Sequence, residues 1–261
     1  MGVGFKRLSH SRSFLYDFLV KNEFLMHVQT TDPSQTAAIK ERTLFFAPLC
    51  PFSRKIRLGL LEKKLTWQAL EERPYAGSEK LYQVNAEGSV PVLVDEGKAI
   101  IKSYAIQEYL EEAYPEEGLL GQSLTERAEV RRLLTWFDEK LFQSVTQRVL
   151  YEKVVKRGLG RGEPDSMVLK KARRALYDHM DYISWLFDRH NWLAGRFLSW
   201  ADLAAAAQLS CVDYLGDVPW EKYKSAKAWY MRLKSRPSFR PLLMESFAGL
   251  VPSRHYRMLD F

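Results

Sequence analysis

"EGSVPVLVDEGKAIIKSYAI", residues 87–106, decides the fold. The run "VPVLV" reads as a strand, Glu96-Gly97 as a tight turn and "KAII" as the returning strand. "SYAIQEYLEEAY" (103–114) then reads as a helix capped by Ser103 and stopped by Pro115. A Val90-Pro91 pair at a strand entrance and Ser103 at a helix entrance can together grip a small peptide by its backbone and its carboxylate. Each also has a plainer reading, Ser103 as an N-cap and Pro91 as a strand-starting turn. Lys102 stands where an acidic residue would suit an amine.

The same alternation extends upstream. "RTLFFA" (42–47) is a short apolar strand. "CPFSRKIRLGLLEKK" (50–64) opens with Pro, which suits the first helical turn, and repeats apolar residues at Ile56, Leu60 and Leu61. "TWQALEE" (66–72) alternates as a strand, "RPYAGS" (73–78) is a loop, and a short helix follows over 79–83. The order β-α-β-α-β-β-α makes residues 41–115 a small α/β domain. Beyond the linker "PEEGLLGQS" (115–123), residues 124–246 are all-α, with helices over 125–156, 165–189, 199–214, 221–235 and a short one within 237–246. "SWAD" is a capping box in which Ser199 caps and Asp202 bonds back, a folding device rather than a chemical one. Residues 247–261 form a tail, and 1–40 a weakly structured extension with an amphipathic helix around Phe14 to Met26.

Composition narrows the function classes. A chain of 261 residues with 46% hydrophobic content supports two packed domains. Two cysteines, Cys50 and Cys211, exclude a disulfide framework, and five scattered histidines give no metal spacing. No run is apolar enough to span a bilayer. The net charge of +7 suits nucleic acid, anionic lipid, an acidic protein or simply a solvated surface. No nucleic-acid recognition motif accompanies it, so nucleic acid is not expected as a partner.

The two-part layout resembles the cytosolic glutathione transferase superfamily over residues 42–245. Four motifs carry the likeness in order: "LCPFSRKIRLGLLEKKL", "NAEGSVPVLVDEGKAIIKSYAIQEYLEEAYP", "WLAGRFLSWADLAAAAQLS" and "AWYMRLKSRPSF". It implies a thioredoxin-like α/β domain followed by an all-helical one, paired as a homodimer. It implies a cis Val90–Pro91 bond, with Val90 offering its backbone to glutathione and Ser103 receiving a carboxylate at a helix N-terminus. Catalytic relatives carry an acidic residue or Gln before that Ser. Lys102 would repel the ligand's ammonium, so glutathione binding is expected to be weak or absent. Cys50 falls where the superfamily places its active Ser, Cys or Tyr. There, a helix N-terminus with Arg54 and Lys55 nearby should lower its thiol pKa; alternatively Cys50 is a small buried turn residue.

"VDYLGDVPW", "KAWYMRLKSRPSFRPLL" and the terminal "HYRMLDF" are similar to one alphaproteobacterial branch of the superfamily, a group of division factors that bind the tubulin-like GTPase FtsZ. That likeness implies FtsZ and other divisome proteins as partners, a cytoplasmic place at the division site, and no need for catalysis. Tyr75, Leu250 and Phe261 are the residues expected to meet the partner, and loss of the last seven residues is expected to spare the fold. The competing class is an enzyme, a glutathione transferase or Cys-dependent thiol transferase acting on small electrophiles or mixed disulfides.

Overall fold

The computed structural model describes residues 42–72, 77–247 and 249–261; the 1–40 extension and Tyr75 lie outside these residues. The N-terminal half runs β1 (Thr43–Phe46), α1 (Pro51–Glu62), β2 (Gln68–Glu71), α2 (Glu79–Val84), β3 (Val92–Asp95), β4 (Lys98–Ile101) and α3 (Ser103–Ala113). The sheet order is β2-β1-β3-β4. β2 lies parallel to β1, which requires the α1 crossover, and the other pairings are antiparallel. Glu96 and Gly97 both have positive φ, 49° and 72°, which matches the twist of the strands that they join.

The period-2 pattern of the strands sorts side chains onto two faces. Leu44, Phe46 and Leu93 pack with Ile56, Leu60, Ile106 and Leu110 of α1 and α3, whereas Phe45, Val92 and Val94 pack with Leu81 and Val84 of α2. On α1 the fully buried apolar residues are Ile56, Leu58 and Leu60, not the expected Leu61. The helix is covered on two sides, so a one-stripe pattern does not describe it.

The C-terminal half begins with α4, a continuous helical run over 124–158 that widens into π-helix at Trp136–Thr146 and Tyr151–Val155. There follow α5 (Ser166–Phe187), α6 (Trp200–Tyr214), α7 (Lys224–Lys234) and the short α8 (Arg240–Met244). Every residue of α6 is buried, and its alanines let neighbouring helices approach closely. The "SWAD" box forms as expected. The Asp202 carboxylate accepts from Ser199 N (3.0 Å), Ser199 Oγ (2.8 Å), Leu193 N (2.9 Å) and Trp229 Nε1 (3.0 Å), which satisfies a carboxylate that burial would otherwise disfavour.

α1 and α6 join the two halves. A Cβ on Gly59 would lie 2.0 Å from the Trp200 ring, so only glycine permits the approach. Trp200 in turn donates from Nε1 to Glu111 at 2.8 Å.

The tail is part of this core. Tyr256 has no exposed surface and packs edge-on against Tyr214 at 5.0 Å. Phe261 stacks on His255 at 4.9 Å and meets Trp220 at 5.6 Å. Leu250 packs against the core and pairs with Phe247. This packing argues against the expectation that the last seven residues are dispensable for folding. Of the tail's apolar residues, Val251 (89%), Met258 (50%) and Leu259 (41%) face outward.

Candidate functional site

Cys50 occupies the N-cap of α1, with Pro51 in the first turn. Its Sγ lies 4.0 Å from the Val90 carbonyl oxygen, which brings the loop before α1 against the loop before β3. The Val90–Pro91 bond is cis. Val90 is half-buried and Pro91 buried, so of the two Val90 is nearer the surface.

Ser103 is the first residue of α3 rather than its cap. Lys102 takes the cap position, at φ 77° and ψ 133°, and its side chain makes no capping bond. An L-residue held there costs about 1–3 kcal/mol, a strain that clusters at ligand clamps. The Lys102 ammonium instead pairs with Glu87, whose carboxylate also accepts from Ser89 Oγ at 3.3 Å. Asn85 steadies this loop by donating from Nδ2 to Ser89 O at 2.7 Å. A carboxylate thus sits beside Lys102 after all, supplied by the loop before the cis proline. Sequence reasoning missed Glu87; its signal was an acidic residue four positions before Pro91.

The thiol departs from the first of its two readings, an activated thiol, and agrees with the second, a small buried turn residue. Burial pushes the Cys50 thiol up from its ordinary value, against hydrogen bonds from Ser53 and Phe52 and the charge of Arg54. Of the two basic residues expected to activate it, only the charge of Arg54 reaches it, and the hydrogen bonds of both go elsewhere. Arg54 is fully buried and donates to Pro48 O (2.7 Å), Ser210 Oγ (2.8 Å), Tyr256 OH (3.2 Å) and Glu245 Oε2 (3.1 Å). Lys55 pairs with Asp138. Arg54 therefore ties the tail and α6 to the loop carrying Cys50. Cys211, pushed up to about 12 by burial, donates to Leu49 O at 3.3 Å and is core, as its Ala-rich surroundings predict.

The arrangement offers a backbone edge at Val90, a hydroxyl at the N-terminus of α3 and an ion-paired carboxylate at Glu87. These groups suit a small zwitterionic peptide better than they suit bond-making by Cys50, which is mostly protonated at neutral pH. Among the described residues no cluster of His, Cys, Asp and Glu could hold a metal. No helix among them is long and apolar enough to cross a membrane.

Residues 44–118 match the glutathione S-transferase N-terminal domain and residues 148–237 its C-terminal domain. FtsZ-localized protein A of Caulobacter vibrioides is 47% identical over 225 residues, covering 85% of this chain and 99% of that protein. The crystal structure of a glutathione S-transferase from Rhodospirillum rubrum superposes with a TM-score of 0.81 at 48% identity, over 84% of this chain and 100% of that one. The structure of FzlA from C. crescentus gives the same TM-score, 0.81, at 46% identity over 85% and 100%. With both family domains in order, and a likeness that runs almost the full length of such relatives, the chain belongs to the glutathione S-transferase family.

Proposed function

We propose that this protein is a cytoplasmic division factor that binds FtsZ at the division site and supports constriction, acting as a homodimer. Glutathione would bind weakly or not at all at Val90, Pro91, Lys102 and Ser103, with Cys50 contributing little or no catalysis. One observation carries the reading: 47% identity along 99% of a protein whose name records localisation with FtsZ. The raised Cys50 thiol agrees with it. A symmetric dimer carries two copies of any partner site, and so can bridge or bend a filament. Tyr75 and the tail remain the proposed contact region. On the tail, the outward-facing Val251, Met258 and Leu259 are better placed for a partner than Leu250 and Phe261, which pack inward.

Cosedimentation with FtsZ polymers, with and without GTP, tests the proposal beside conjugation of glutathione to chlorodinitrobenzene. GTP-dependent cosedimentation without turnover is expected. Turnover without cosedimentation would replace this reading with the enzyme one. That alternative is favoured by the carboxylate of Glu87 beside Lys102, which leaves the strand-edge and helix-terminus groups usable by glutathione.

A further inference from the structure

A separate feature lies at the C-terminal end of α5. A cleft of about 470 Å³ opens there between the turn after Phe187, the Trp192–Gly195 turn and α7. Arg189, His190, Arg196 and Arg232 line it, with Asp188 as the one carboxylate of the lining. Three guanidiniums in one cleft repel one another, and none of them has a carboxylate within ion-pair distance among the described residues. Each is instead laid on an aromatic ring. Arg189 sits 4.2 Å from the Trp185 ring centroid, Arg232 4.1 Å from that of Trp192, and Arg196 5.7 Å from that of Phe197.

Stacking uses the faces of a guanidinium and leaves its five in-plane N–H donors free. Two are engaged by the fold: Arg189 Nη1 donates to Trp185 O at 3.0 Å, and Arg232 Nη1 to Asn191 O at 2.8 Å. These bonds hold the forks in place at the helix end. Arg196 makes no hydrogen bond among the described residues. Of the nearby carboxylates, Glu129 pairs with Arg132, and Glu126 binds the backbone of Gln122 and Ser123 while also feeling the charge of Arg196. Trp185 and Phe197, the rings under Arg189 and Arg196, are 48% and 63% exposed and are aromatic residues of the kind enriched in protein contacts.

We propose that this cleft docks an acidic, extended peptide segment of a partner protein, whose carboxylates enter the arginine forks while Trp185 and Phe197 flank its chain. Bidentate carboxylate recognition is what a stacked, pre-placed guanidinium does best. The cleft is shallow, polar and largely open to solvent, which suits an extended segment lying along it better than an enclosed small molecule. A flat anionic membrane fits less well. Cations already lie over Trp185 and Phe197, the two exposed rings that would have to enter a bilayer. The inference is independent of FtsZ binding.

The test uses the full chain and a fluorescein-labelled octaglutamate peptide, followed by anisotropy in low salt. Saturable binding is expected. Arg196→Glu should weaken it at least about tenfold, the scale of one charge-assisted contact; because Arg196 also lies over Phe197 and its charge acts on Glu126, a melting curve of each variant separates lost binding from lost fold. Arg196→Gln, a milder variant, should weaken it in the same direction. Arg174→Glu, the same charge reversal on the exposed face of α5, should change it less than about twofold. Equal losses in Arg174→Glu and Arg196→Glu would reduce the cleft to bulk charge and overturn the proposal. So would failure to saturate. Vesicles containing phosphatidylserine that outcompete the peptide, in an Arg196-dependent way, would assign the site to a lipid surface instead.

Discussion

Tyr256→Phe removes one oxygen from the tail and isolates what that oxygen does. The hydroxyl accepts from Arg54 Nη1 at 3.2 Å and donates to the Leu242 carbonyl at 3.1 Å, in a region closed to water. Phenylalanine fills nearly the same space, so no cavity opens. What remains is a buried guanidinium lacking one acceptor and a carbonyl lacking its donor. Leaving such groups unpaired costs about 1–3 kcal/mol in total if partial rearrangement occurs. Tyr256→Ala adds a cavity and should cost about 3–5 kcal/mol. Deleting residues 255–261 also strips His255 from the buried Asp213, which it meets at 2.7 Å, and should cost at least as much as the alanine. Urea unfolding checks the series: the midpoint should fall in the order Phe, Ala, deletion, with an unchanged slope for Tyr256→Phe. A deletion as stable as the full chain would refute the packing of the tail, and would restore the idea of a free partner-binding segment.

Three further outcomes are expected. Gly59→Ala should destabilise the chain by about 1–3 kcal/mol despite alanine's better helix propensity, because its methyl meets the Trp200 ring; a stabilised variant in thermal melts would mean that the ring can move aside. His179 is held neutral, its pKa lowered to about 4 by burial and further by Lys140, against the pull of Asp178; its Nδ1 accepts from Trp136 at 3.1 Å. The folded state then binds fewer protons than the unfolded one between about pH 4 and 6.5. Its stabilisation is complete above 6.5 and falls as the pH drops, by about 3 kcal/mol at pH 4; His179→Gln should flatten that slope in urea titrations, and an unaltered slope would exclude His179 as the cause. Lys102→Gln should free Glu87 and tighten glutathione binding by less than about tenfold, since an exposed ion pair is worth at most about 1 kcal/mol; calorimetry should show the gain vanish when Glu87→Gln is added.

What could be read from the sequence was local. The strands, the I′-type turn at Glu96-Gly97 and the capping box at Ser199 each depend on residues a few positions apart, so pattern and turn chemistry sufficed. The cis bond at Val90-Pro91 was legible, and the start of α3 was read to within one residue, with Lys102 rather than Ser103 at the cap. The site was misread where burial decides. Arg54 and Lys55 looked like neighbours able to activate a thiol, but Arg54 finds its acceptors 191 and 202 positions away in Glu245 and Tyr256, contacts that no window of sequence contains. The pairing of Lys102 with Glu87 across the cis-proline loop was missed for a related reason, because charge was weighed without the fold that places its partner.

The placement of Phe261 has a practical consequence for imaging and biophysics. Its ring is held between Trp220, His255 and the ammonium of Lys234, 4.3 Å from its centroid. A fluorescent reporter joined directly to that residue starts from an anchored point rather than from a tether. Its dipole would tumble with the whole body, so polarised emission from such a fusion would report rotation of the assembly itself. A reporter intended only as a passive marker needs a flexible spacer before its first residue, or it will press on Trp220 and the helices behind it.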